Sequence, residues 1–120
     1  MERVNKLGIF ALAIAVALAT PAGAADLAAQ MYNQCMAKSA SNLPDLDHDE
    51  LAVTLRTYFD AGRDGMKDDR VLSSRNPAFT WAYETRLACG EALGYLDGGY
   101  VDRTTIQQCD CFYQRYISFR

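Results

Sequence analysis

Two cysteines one residue apart, Cys109 and Cys111, are the residues of this sequence best suited to chemistry. Two thiolates at that spacing could bind a soft metal such as Cu(I) or Zn²⁺, with further ligands drawn from Met31, Met36, Met66 and His48. A redox-active pair is a second possibility, although such pairs prefer a Cys-x-x-Cys spacing at the start of a helix. Two more cysteines, Cys35 and Cys89, are available to pair with them, so structural disulfides are the favoured interpretation.

The four cysteines are predicted to form two disulfides, because an even number in a small exported chain is typical of such a framework. Cys109 and Cys111 are too close to bond comfortably within a helix, so each should pair with one of Cys35 and Cys89. Their thiols point about 200° apart on a helix and therefore face different neighbours. The register of the last helical hairpin does not decide the pairing and slightly favours Cys89–Cys111 with Cys35–Cys109. Each bridge is expected to contribute about 2–4 kcal/mol.

Three aspartates, Asp45, Asp47 and Asp49, imitate the start of a calcium-binding EF-hand loop. The sequence departs from that motif at two essential places. Glu50 stands where the sharp turn requires glycine, and Arg56 stands where a bidentate carboxylate is required. The acidic cluster is therefore interpreted as a helix start that the helix dipole favours.

Nothing else in the sequence predicts catalysis. The only histidine, His48, has no serine or cysteine free to act as its nucleophile, and no phosphate-binding loop, catalytic triad or zinc-protease motif is present. We therefore expect a protein that is not an enzyme, with no catalytic residue, cofactor or metal ion.

The first 24 residues are predicted to be a secretory signal peptide. Arg3 and Lys6 provide a basic start, residues 7–19 carry no charge, and small residues precede the expected cleavage point after residue 24 or 25. The apolar run is short for a membrane span, which needs about 20 residues. The mature chain, residues 25–120, is thus expected to be one periplasmic or secreted domain without stable membrane insertion.

Composition narrows the class of protein further. A length of 120 residues allows one domain. The 12 basic and 15 acidic residues give a net charge of −3, which argues against the basic face that nucleic-acid binding requires. Because 50% of the residues are hydrophobic and 11% are aromatic, the chain is predicted to fold rather than to be disordered.

The hydrophobic pattern predicts an all-α fold, a compact bundle of about four helices cross-linked by the two disulfides. Helical periodicity recurs along the chain, and alternation typical of strands does not persist for five residues anywhere. The predicted helices cover Ala25–Ala40, a stretch from the N-cap Asp47 to Gly62, a stretch from the N-cap Asn76 with Pro77 at its first position to Gly98, and a last helix that begins at Thr104 with Gln107 completing a capping box.

One segment, Asp64–Arg75, has little apolar content and is predicted to be a long, polar, partly helical connection. Loops of about 12 residues in a compact domain are often functional. We interpret the segment as the candidate surface for a protein partner, carried by Asp64, Lys67, Asp68, Asp69, Arg70, Ser73 and Ser74.

The layout resembles the immunity proteins that block type VI secretion amidase effectors in the periplasm. The matching residues are Cys35 in Asn-Gln-Cys-Met-Ala-Lys, the run Tyr58-Phe59-Asp60-Ala61-Gly62, and the spacing of Cys109 and Tyr113. The other two cysteines have no counterpart in that family. The resemblance implies a small helical protein that plugs the cleft of an effector sterically, for which Asp64–Arg75 is the first candidate plug.

Two other functions fit the same sequence. Small acidic helical periplasmic proteins also include the HdeA-type acid-stress chaperones, which protect protein clients at low pH. A structural accessory of an envelope complex is the third possibility. The oligomeric state is left open. An amidase-like protein encoded next to this one would favour the immunity function.

Overall fold

The computed structural model describes residues 24–37 and 40–120, and these fold into a helical bundle. The predicted signal peptide, residues 1–24, lies outside the described residues except for its last position. Five helices and one 3-10 turn account for the described chain: α1 (Ala24–Ala37), the 3-10 turn (Leu43–Asp45), α2 (His48–Gly65), α3 (Asp69–Leu72), α4 (Ala78–Asp97) and α5 (Arg103–Phe119). No strand occurs in these residues, which confirms the predicted all-α class.

Helix α4 is the centre of the bundle and runs antiparallel to both α2 and α5, against which it makes most of its contacts. Its buried side carries Trp81, which packs against Phe112 of α5 with the ring centroids 6.1 Å apart. Leu51 and Leu55 of α2 are buried in the same core, and so is Ile106 of α5. Burying these large side chains is the main source of stability in a domain of this size.

Helix α2 continues past Gly62, where the sequence predicted its end, and stops at Gly65. A Cβ atom at position 62 would lie 2.7 Å from the carbonyl oxygen of Ala82 and 2.8 Å from the amide nitrogen of Arg86. Gly62 therefore allows the backbones of α2 and α4 to approach closely. The sequence predicts a helix end at this glycine, whereas in the structure its role is close packing between two helices.

The helix starts agree with the sequence in one case and differ in two. Asp47 caps α2 as predicted, and its Oδ2 accepts the N–H of Asp49 at 3.2 Å. Helix α4 begins one residue later than expected, at Ala78, although the Oδ1 of Asn76 still accepts the Ala78 N–H at 3.0 Å. The prediction for α5 is wrong: the cap is Asp102, whose Oδ2 accepts the N–H of Thr105 at 3.0 Å, and not Thr104.

Two disulfides are present, as predicted, and no cysteine is free. The pairing that the sequence favoured is wrong. The bonds join Cys35 to Cys111, with Cα atoms 5.5 Å apart, and Cys89 to Cys109, with Cα atoms 4.6 Å apart. Cys109 is fully buried against α4, whereas the half-buried Cys111 points away toward α1. The α4–α5 hairpin, turned at Gly99 with φ 83°, therefore has the register that places Cys89 opposite Cys109.

Two disulfides are typical of proteins that fold in an oxidising environment, since such bonds persist chiefly outside the cytoplasm. Within residues 24–37 and 40–120, no helix has both the length and the apolar character needed to cross a membrane.

Candidate functional site

The segment Asp64–Arg75 is shorter as a connection than its sequence predicts, because helices occupy much of it. Asp64 belongs to the last turn of α2, and Asp69–Leu72 form the single turn of α3. Val71 is 4% exposed and anchors α3 to the core. The predicted partial helicity is thus confirmed, and a buried valine fixes the position of the polar residues around it.

Asp68 caps α3 and pairs with Arg70. Its Oδ1 accepts the backbone N–H of Arg70 at 2.9 Å and the Nε–H at 3.2 Å, while its Oδ2 accepts from Nη2 at 2.8 Å. These hydrogen bonds from Arg70 lower the pKa of the Asp68 carboxyl and raise the pKa of the guanidinium. The pair orients the Arg70 side chain even though 90% of it is exposed.

Hydrogen bonds tie the end of the segment to α5. The Ser73 hydroxyl donates to the carbonyl oxygen of Asp69 at 2.7 Å, and the Ser74 Oγ accepts the N–H of Asn76 at 3.2 Å. The Nδ2 of Asn76 then donates to the carbonyl oxygen of Phe119 at 3.0 Å. This chain of contacts joins residues 73–76 to the end of α5, far away in sequence.

A cleft of about 320 Å³ opens between the segment and the end of α5. Buried Val71 and Ala78 supply the apolar part of its wall together with Phe119. The other lining residues are polar or charged: Asp68, Arg70, Ser74 and Arg120. We call this space the segment cleft. Its charged rim consists of Arg120 and of the mutually paired Asp68 and Arg70, around an apolar wall.

The seven predicted partner-binding residues fall into two groups. Asp68, Arg70 and Ser74 line the segment cleft. The others lie outside it: Asp64, Lys67, Asp69 and Ser73. Asp64 is instead held by the Nε of Arg63 at 3.1 Å, and the exposed Lys67 and Asp69 have no ion pair within the described residues.

Sequence reasoning missed four of the seven residues that line the cleft. Val71 is the buried anchor of α3 and Ala78 is the first residue of α4, so neither has the polar character of the predicted surface. Phe119 and Arg120 follow the last predicted stripe, and no local pattern connects them with a segment more than 40 residues earlier. Only the packing of α5 against the start of α4 brings them together.

The other motifs do not form a second site. All four cysteines are in disulfides, which removes the thiolates that metal binding or a redox pair would need. Asp110, between two of them, accepts the Ser41 hydroxyl at 2.6 Å. His48 is exposed and lies 3.5 Å from Asp49. In the described part of the chain, no three His, Cys, Asp or Glu side chains are grouped so as to hold a metal ion.

Comparison with known proteins adds no relative. The chain matches no protein-family model, and neither a curated protein nor a solved structure shows significant similarity to it.

Proposed function

We propose that this is an exported, non-enzymatic protein that binds another protein through the segment cleft, and that it acts as a periplasmic immunity protein against a secreted amidase effector. The single observation that carries the proposal is the segment cleft itself, an apolar wall with a charged rim on a cross-linked helical body. The resemblance in the sequence suggests the kind of partner. The two disulfides support export.

The chemistry of the cleft indicates what part of a partner it accepts. An apolar side chain would contact Val71 and Phe119, and a neighbouring carboxylate would reach the guanidinium of Arg120, which has no ion pair among the described residues. Arginine favours such contacts because its planar donors match a carboxylate. Since Arg70 is already held by Asp68, little side-chain entropy is lost on binding. The part of the partner that binds in the segment cleft would be covered by this protein.

The proposal is tested by asking whether this protein neutralises a toxic protein encoded by an adjacent reading frame. The products of the reading frames adjacent to this one are each exported to the periplasm of a host, with and without this protein, and growth and peptidoglycan amide cleavage are measured. We expect one product to be toxic and to be neutralised. The double variant Arg70→Glu with Arg120→Glu should lose protection.

Arg103→Glu is the matched control, because Arg103 is an exposed arginine at the other end of α5, about 25 Å away, and its ion pair with Asp45 at 3.0 Å lies on the surface. That variant should protect fully. Full protection by the folded double variant, or the absence of any neutralised product, would contradict the proposal.

A second candidate is an acid-stress chaperone of the HdeA type, and one observation favours it. Three helices begin at aspartate caps, Asp47, Asp68 and Asp102, so the start of each of these helices depends on a carboxylate acceptor. Such a protein would prevent the aggregation of alcohol dehydrogenase in acid without any specific partner. Protection of that client, together with failure of the neutralisation assay, would select this function.

A further inference from the structure

The side of α4 that faces away from α2 and α5 is apolar and has no partner within the described residues. Phe79, Tyr83 and Leu87 follow one another at intervals of four residues and are 40%, 40% and 44% exposed. Large apolar side chains that lie together on an exposed surface mark a candidate interaction site. We call the surface formed by these three side chains the outer face of α4. It is distinct from the segment cleft.

Opposite charges border the outer face. Arg86 lies on one edge, and Glu84 and Glu91 lie on the other, about 160° and 140° around the helix from it. None of the three forms an ion pair in the described part of the chain. Arg86 and Glu84 are half-buried, and burial raises the pKa of the Glu84 carboxyl. The half-buried Arg86 lacks a counter-charge among these residues and is stabilised when one is supplied.

We propose that the outer face of α4 binds a second copy of this chain, with the two α4 helices parallel about a two-fold axis. Parallel pairing brings the basic edge of one copy against the acidic edge of the other. Antiparallel pairing would place like edges together, because its two-fold axis keeps each edge on the same side. The charge pattern therefore selects both the occupant and its direction.

The spacing along α4 fits the contact. When Leu87 and Tyr83 take the a and d positions of a heptad, Arg86 takes position g and Glu91 the following position e. These are the positions whose side chains form ion pairs between parallel helices. Two-fold symmetry makes the pair reciprocal. A Cβ atom at position 94 would meet no atom within 4 Å, whereas one at position 90 would lie 3.1 Å from the Phe59 ring, so the partner helix can approach closely at Gly94 and would meet Phe59 of α2 beside Gly90.

Charge exchange tests the proposal. The mass of the purified full chain is measured by sedimentation velocity from low to high micromolar concentration for the wild type, Arg86→Glu, Glu91→Arg and the double exchange. We expect the wild type to dimerise. Each single variant should weaken association about tenfold or more, because like charges then meet, and the double exchange should restore it. Leu87→Glu should give a monomer.

Arg75→Glu is the matched control, since Arg75 is exposed and lies outside the outer face; it should dimerise like the wild type. Circular dichroism verifies that each variant is folded. A wild type that stays monomeric throughout would overturn the proposal, and so would a double exchange that associates no better than the singles. If the wild type is monomeric and Leu87→Glu nevertheless abolishes neutralisation, the outer face of α4 binds another protein instead.

Discussion

Two glycines in neighbouring helices have opposite effects on stability, because only one of them faces another backbone. Gly62→Ala places a Cβ atom 2.7 Å from the Ala82 carbonyl oxygen, and the helices must separate. We expect a loss of about 1–3 kcal/mol, as for other overpacked sites. Gly94→Ala meets open space within a helix and should stabilise the chain by about 0.5–1 kcal/mol. Urea unfolding of dilute protein measures both, and equal effects at the two positions would contradict the packing role of Gly62.

Asp68 gives a pH dependence whose sign follows from its pKa. Hydrogen bonds from Arg70 lower the folded-state pKa of Asp68 below its ordinary value of 3.8. The contribution to stability is therefore complete above that value and is lost as the pH falls through the lowered one. Asp68→Asn keeps a capping oxygen and removes the charge. We expect a small deficit in melting temperature at pH 7 that disappears once the pH has fallen below the lowered pKa of Asp68. A deficit that persists in acid would mean that the cap geometry was changed instead.

At the scale of the element, the start of α5 shows which of two possible N-cap residues is used, a choice that the sequence could not settle. Thr104 with Gln107 fits a capping box, but Asp102 is also a good cap, and in the structure Asp102 accepts the Thr105 N–H. Acceptors two residues apart compete for the same helix start, and the structure uses Asp102. Asp102→Ala should cost about 1 kcal/mol, whereas Thr104→Ala should change the free energy of unfolding little. Thermal melts with Asp102→Asn as the conservative control test this. The reverse ranking would return the cap to Thr104.

The number, type and order of the long helices could be predicted because each carries a stripe of apolar residues at helical spacing. Their ends could not, since tertiary contacts set them. Gly62 has the composition of a helix end, yet the close approach of α4 keeps the helix intact there. For the segment cleft, Asp68, Arg70 and Ser74 could be predicted from the sequence, whereas Arg120 and the apolar wall could not. Phe119 reaches the site only through the register of α5 against α4.

At the scale of the whole molecule, the two disulfides attach different parts to α5. Cys89–Cys109 closes the α4–α5 hairpin, whereas Cys35–Cys111 attaches α1, which packs chiefly against α5. Tyr32 against Phe112, with ring centroids 5.5 Å apart, is one of the few further contacts of α1. The sequence could not assign the pairing because Cys109 and Cys111 differ by only about 3 Å along the helix axis.

Removing the disulfides one at a time tests how each supports the fold. Cys35 and Cys111 are 76 residues apart, and Cys89 and Cys109 are 20 apart. A bond that closes a longer loop restricts the unfolded chain more. We therefore expect Cys35→Ala with Cys111→Ala to cost about 4–5 kcal/mol and Cys89→Ala with Cys109→Ala about 3 kcal/mol. Hydrogen exchange should show α1 losing protection first in the former variant, since few other contacts hold it. A larger loss from the hairpin pair, with α1 still protected without its bond, would show that packing rather than the cross-link attaches α1.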